Sequence, residues 1–398
     1  MKTLKNFVMV CAVLAMISGN VFAAERFSLT WSEYPSWSVF GVCEMLKFRE
    51  ADGKWVIDTK GEYLLDGKAG NQGIIEKKWD VDIVLLEKDY DTCISFYATS
   101  QCDAVCITTL DILPIALSRS SVVIMPTSTS FGADALIVGK DIKEISQLKG
   151  KEVYGLSKSV SEYCFDRNLE ILKQNEKDYK FVHNDPGAAA VAFQQNNKNY
   201  TGVVIWNPFV MSTLANRKDS HVLFSSESIP GEIIDSVVMA KSSLEKAAGK
   251  NAACAIADAY YTLSKILAQK DTQDQSLVAL GKKFSNLNAE QMKTVVRQTR
   301  FYATPEMGIS FMEGGVVFPW KKTVEDTSVL FTNAGFDAKS SEVTTKTLKE
   351  LMPFVVKFCV DKEMTPKSPV ISYEKAEENT QMLFDSQYMK AVLEKNKK

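Results

Sequence analysis

Short apolar runs of four to eight residues recur along most of the first 240 positions of the chain. They cover Arg26 to Trp31, Val81 to Leu86, Ala104 to Ile107, Ser121 to Met125, Ala135 to Val138 and Glu152 to Leu156. Lys180 to Val182, Gly202 to Ile205, His221 to Phe224 and Ile233 to Ala240 continue the series. The runs are continuous and rich in β-branched residues, the pattern of strands buried on both faces. Helical segments are expected between them: Ser38 to Arg49, Ile74 to Trp79, a short one opened by Asp111, one ending near Gln174, one opened by Pro186, and one ending at Asn216. Asp91 is placed as the N-cap of a further helix through Tyr97. Residues 50–73 are rich in Gly and charge, and read as an excursion between two helices. After Lys241 the pattern is mostly helical, broken at Phe301 to Pro305 and Gly314 to Trp320, and helical again from Tyr373. Alternating strands and helices of this kind predict an α/β fold with parallel sheets.

In such sheets ligands sit at the carboxyl ends of strands, against helix N-termini. Several polar and aromatic clusters fall there. The first strand ends in Trp31-Ser32-Glu33-Tyr34-Pro35-Ser36-Trp37, and the next in Glu87-Lys88-Asp89-Tyr90-Asp91. Ala104 to Ile107 ends in Thr108 and Thr109, with Asp111 close behind. Ser121 to Met125 ends in Pro126 and the hydroxyl run Thr127 to Ser130. Ser157 to Ser161 follows another strand, and Trp206-Asn207-Pro208 a later one. The serine cluster reads equally as helix capping or as ligand contact.

Composition narrows the class. The 398 residues suffice for two lobes of ordinary domain size. With 47 basic and 49 acidic side chains the net charge is −2, and no nucleic-acid footprint is visible. The first 23 residues read as a secretory signal peptide: Lys2 and Lys5, the apolar run Phe7 to Ile17, then Val21-Phe22-Ala23, with cleavage before Ala24. The competing reading is a short buried helix. Cleavage at that point leaves a mature net charge near −4 and seven of the eight cysteines. An odd number leaves at least one thiol unpaired. Cys93 and Cys102 are the pair nominated for a bridge. No Cys/His set completes a zinc site, and no metal or cofactor is expected.

Signatures of catalysis are missing. His183 and His221 both fall in expected strands and are expected to be packed. There is no G-x-S-x-G elbow, Walker loop or G-x-G-x-x-G run. An exported α/β chain without a reaction centre points toward binding.

The aromatic loop after the first strand, D-Y-D-T-C after the second, D-A-V-C-I-T-T-L-D, P-T-S-T-S, L-K-G-K-x-V and W-N-P form an ordered series. In this series the chain resembles the solute-binding proteins of ABC importers, in the nitrate/taurine/sulfonate branch that also holds proteins similar to the thiamine-pyrimidine precursor synthases. The resemblance covers about Arg26 to Met364. It implies a two-lobed periplasmic-binding-protein fold of type II-like organisation, with a hinge and an interlobe cleft. Lobe one would comprise 24–131 and 236–398, and lobe two 132–235, with crossings near Thr127 to Ala133 and Ile229 to Ser236. It implies a monomer in the periplasm, with a small-molecule ligand and an inner-membrane ABC permease as partners.

The cleft in that fold would be lined by Trp31, Glu33, Tyr34, Trp37, Asp89, Tyr90, Thr108, Asp111, Ser128, Thr129, Asp134, Ser159, Trp206 and Asp235. Rings and carboxylates with few bases point to a cationic or nitrogen-rich ligand, since ring faces attract cations and carboxylates accept from N–H donors. The competing reading has the aromatics plugging the hinge and the acids capping helices. A secreted ligand sensor would show the same sequence. A precursor-synthase-like enzyme would need a histidine and a cysteine-rich motif that the chain does not match.

Overall fold

A computed structural model describes residues 24–283, 286–337, 342–373 and 375–397. The expected signal peptide lies outside the described residues. Two sheets organise the chain. The main path of the larger runs Ile371–Tyr373, Met382–Phe384, Ser121–Ser130, Ile234–Ala240, Ala104–Thr108, Glu25–Trp31 and Val81–Glu87. An eighth strand, Thr299–Phe301, also pairs with Ser121–Ser130. The smaller sheet runs Lys180–His183, Glu152–Gly155, Gly202–Trp206, Asp134–Gly139 and Ser220–Ser225. The chain passes between the sheets twice, through residues 131–133 and 226–233. This is the two-lobed α/β arrangement expected.

The smaller sheet shows why its strands read as unbroken apolar runs. Successive side chains point to opposite faces of a strand. Leu136 and Val138 pack with Val204, Phe165 and Leu169 on one face. Ala135 and Ile137 pack with Val203, Ala190 and Phe193 on the other. Helix Val160–Ile171 covers the first face, and Pro186–Gln194 with Phe209–Asn216 the second. Burial on both sides removes the polar alternation.

Four sequence expectations need correction. The strands are only partly parallel. Glu25–Trp31 runs parallel to both its neighbours. Ile234–Ala240 is antiparallel to both of its own, and so is Asp134–Gly139. A continuous apolar run reports burial, not the direction of its neighbour. Second, helix Ser38–Met45 stops early, and residues 47–63 form a three-stranded sheet. Its hairpin turns at Asp52-Gly53, both at positive φ. Asp-Gly is a strong hairpin signal, here masked by the charge around it. Third, the tail is not helical from Tyr373. It sends two short strands to the edge of the large sheet, pairing with Ser121 to Val123, before helix Gln387–Asn396. Fourth, Asp89 rather than Asp91 caps its helix, accepting from the Thr92 amide at 2.9 Å. In addition, all seven cysteines of the described chain are free and buried, so Cys93 and Cys102 are not bridged. His183 is exposed rather than packed.

The second connection contains Gly231 at φ +78°, where a Cβ would meet Val317 Cγ2 at 2.4 Å. Both the backbone strain and the clash oppose a side chain there. Gly231→Ala is expected to lower stability by about 1–3 kcal/mol in urea unfolding. An unchanged midpoint would mean that the loop carrying Val317 moves aside freely.

Candidate functional site

Strand register assembles the site. Asp235 lies opposite Thr108 on one side and Ser128 on the other. Across the cleft, Trp206 lies opposite Asp134 in the smaller sheet. Two cross-strand alignments thus bring together residues far apart in sequence. The loop before helix Ser38–Met45 adds Tyr34 and Trp37. Helix Tyr90–Ala98 adds Tyr90 at its first position.

These side chains, with the apolar Val160 and Ile233, enclose a small inner hollow. Its free space is about 10 Å³, no more than one water requires. The rings pack as a box. Tyr34 and Trp37 have centroids 4.8 Å apart, and Trp37 stacks on Tyr90 at 5.4 Å. Tyr90 meets Trp206 edge-on at 6.0 Å, closing the box between one lobe and the other.

Two buried carboxylates, Asp134 and Asp235, line this box, and a third, Asp111, stands behind Tyr90 and Thr108. Asp111 Oδ2 accepts from Tyr90 Oη at 2.6 Å and Thr108 Oγ1 at 2.7 Å. Burial still pushes its pKa up to about 6. Asp235 Oδ2 accepts from Ser128 Oγ at 2.6 Å, and Ser128 Oγ in turn accepts from Ser36 Oγ at 2.8 Å. Burial, with Asp134 nearby, holds the Asp235 carboxyl well above the usual range. Asp134 is 2% exposed, and its Oδ2 has no hydrogen-bond partner. Burial pushes its pKa up to about 7. The Tyr34 hydroxyl and Trp37 indole N–H are also buried without a partner in hydrogen-bond geometry. Tyr34 is pushed well above its ordinary value by burial and by the neighbouring Asp235 and Asp134. No lysine or arginine lines the hollow.

Outside the Tyr90–Trp206 pair lies an open vestibule of about 390 Å³. Glu33, Glu87, Asp89, Asp91 and Asp185 line it, with Lys88 as its one base. Burial raises the Asp91 carboxyl, and Asp89 and Asp185 add repulsion.

The structure therefore brings Tyr34, Trp37, Tyr90, Thr108, Asp134, Trp206 and Asp235 to one hollow, with Asp111 and Ser128 directly behind it. Glu33 and Asp89 lie in the vestibule. Three expected residues lie elsewhere. Trp31 is fully buried, between Gly41 and Lys283. The Thr129 hydroxyl donates to the Ile233 carbonyl, tying the two crossing strands together. Ser159 caps helix Val160–Ile171, donating to the Leu156 carbonyl and accepting from the Ser161 amide. Val160, Ile233, Asp91 and Asp185 were not among the expected site residues. An apolar wall carries no sequence signal distinct from core; Asp91 reads as a helix cap, and Asp185 does cap helix Pro186–Gln194 in the structure.

Among solved structures, the chain is similar to the putative periplasmic sulfonate-binding protein SsuA of Methylobacillus flagellatus KT, with TM-score 0.57, 14% identity, and coverage of 95% of this chain and 96% of that one. It is also similar to the periplasmic aliphatic sulphonate binding protein SsuA of Escherichia coli, with TM-score 0.52, 17% identity, and coverage of 70% and 85%. The alkanesulfonate-binding protein SsuA of Xanthomonas axonopodis pv. citri, solved bound to MOPS, has TM-score 0.53, 13% identity, and coverage of 70% and 87%. No protein-family model matches the chain, and no curated protein matches it. At these identities the likeness is one of fold. The chain has the two-lobed fold of the periplasmic substrate-binding proteins. Among the described residues, no helix is long and apolar enough to cross a membrane.

Buried carboxyls with raised pKa values bind protons more tightly in the fold than in the unfolded chain. The contribution of Asp111 and Asp134 to the stability of the empty protein is therefore expected to be greatest at acid pH and to fall as pH rises from about 4 to 7. Asp134→Asn should flatten that fall and raise stability at pH 7.5 by about 2 kcal/mol. Thermal melts of both proteins across this range check it. Parallel curves would mean that Asp134 is better solvated than its burial indicates.

Proposed function

We propose that this protein is an exported solute-binding protein that captures a small organic cation between its lobes and delivers it to an ABC importer. The observation that carries the reading is the pairing of an aromatic box with Asp111, Asp134 and Asp235, without a base among the lining residues. Unpaired charges are costly in such a site. A cation restores the balance, and the faces of Trp37, Tyr90 and Trp206 add attraction of about 0.5–2 kcal/mol each. The two-lobed fold supports capture by hinge closure. Because Asp235 pairs within the larger sheet, we take 24–131 together with 234 onward as one lobe and 132–233 as the other, moving the boundary expected at 235 back to the second connection.

The sulfonate ligands named for the similar proteins fit this hollow poorly. A sulfonate would set its negative charge against three carboxylates and find no guanidinium or ammonium to answer it. A binder also fits better than an enzyme: His183 and His221 line neither the hollow nor the vestibule. The acidic vestibule would raise the local concentration of cations and speed their entry.

Calorimetric titration with alkylammonium, guanidinium and amidinium salts, and in parallel with taurine and nitrate, tests the proposal. Binding is expected for cations alone, and the cation is expected to be recovered unchanged. Trp206→Ala and Tyr90→Phe separate the ring from the hydroxyl. The first should weaken binding by roughly two- to thirtyfold, matching about 0.5–2 kcal/mol for one ring face. Tight binding of taurine or nitrate, with no response to cations, would reverse the assignment.

A further inference from the structure

We infer that the bound cation carries at least two N–H donors and bridges Asp134 on one lobe to Asp235 on the other, so that a fully N-methylated cation is rejected. The inference rests on the cation reading above and narrows it to a chemical class: primary ammonium, amidinium or guanidinium rather than quaternary ammonium. An aromatic box alone would not make this distinction, because cation–π attraction serves both kinds.

The distinction comes from the acceptors. Asp111 Oδ2 is already occupied by two hydroxyl donors, Tyr90 and Thr108, so its role toward the ligand is to orient the Tyr90 ring and add charge. Asp235 Oδ2 has one donor, Ser128. Asp134 Oδ2 is buried and has none. Asp134 opens the strand Asp134–Gly139 of the smaller sheet, while Asp235 lies in Ile234–Ala240 of the larger. Each feels the other's charge. Both carboxylates line the same hollow across the cleft, with Ser128 and the Tyr34 hydroxyl beside Asp235 and no donor on Asp134 Oδ2. A ligand with two N–H groups on one cationic centre satisfies both at once and holds the lobes together. A trimethylammonium group fills the box but donates to neither, leaving Asp134 Oδ2 buried and bare and Asp235 with Ser128 alone. A site built around hydrogen bonds discriminates far more sharply than one built on shape. The unpartnered Tyr34 hydroxyl and Trp37 indole N–H stand on the same wall as donors. They favour a ligand that also offers an acceptor beside its cationic centre.

The test uses matched pairs on the full mature chain: butylammonium against butyltrimethylammonium, and benzamidinium against phenyltrimethylammonium, by calorimetry at pH 8. The N–H member of each pair is expected to bind roughly a hundredfold tighter. In Asp134→Asn the gap should shrink to within roughly tenfold, because one arm of the bridge is lost. Wild-type protein needs no folding control, so the pairs decide the matter by themselves. Equal affinity within each pair, or preference for the methylated member, overturns the inference while leaving the cation reading intact. Silence from all four cations removes the cation reading, and this inference with it.

Discussion

Asp134 and Asp235 share a space scarcely larger than one water molecule, with Asp111 directly behind them, and among the described residues no lysine or arginine lines it. In water each would be ionised at neutral pH. Enclosed together, they hold their protons to higher pH, because a charge out of water and beside its like is expensive. Most of the surrounding structure makes this arrangement tolerable. Tyr90 and Thr108 donate to Asp111, and Ser128 donates to Asp235. Hydroxyls give partial compensation without cancelling the charge, as an arginine would. The site is left short of one cation.

The two lobes meet around that deficit in other places as well. Tyr163 donates to Glu232, and Arg167 and Lys346 pair with the same carboxylate. Lys362, beyond helix Leu348–Asp361, reaches Glu162, Asp166 and Glu176 around helix Val160–Ile171 and the turn after it. These pairs carry opposite charges and close within the chain. The inner hollow has like charges and no such pair. On the proposed reading, the periphery of the cleft favours closure by itself, while its centre favours closure once a cation is bound. A hinged binder needs this contrast, because a cleft that closed equally well when empty would lose part of its affinity to that competing state.

The hydroxyl run Thr127 to Ser130 shows how the same residue type divides its labour. Thr129 and Ser130 tie one crossing strand to residues Ile233 and Ser226 of the other crossing. The Tyr302 amide takes the Thr127 carbonyl, and Tyr260 donates to it. Only Ser128 reaches a site carboxylate. Alternation along the strand sends neighbouring hydroxyls to opposite faces, so a run that looks uniform in sequence serves both the hinge and the site.

Much of this was legible in the chain itself. Continuous β-branched runs at regular intervals establish strands buried on both faces, and aromatic and acidic residues at their ends mark where a ligand can sit. Tyr34, Trp37, Tyr90, Asp111 and Trp206 follow that rule, whereas Asp134 and Asp235 stand at the beginning of their strands and were expected only from the resembled fold. Other features depend on pairing between distant segments. Whether Asp235 lies beside Thr108 and Ser128, and Asp134 beside Trp206, is a matter of register, and a shift of one residue would turn either side chain to the opposite face. The tail strands exist only because Ser121 to Val123 offers them an edge. The local sequence determined where strands and polar clusters fall, because periodicity and capping act over a few residues. The tertiary structure decided strand direction, register and which carboxylates share one dry space, because those follow from burial against partners distant in sequence, such as Trp206 for Asp134 and Thr108 for Asp235.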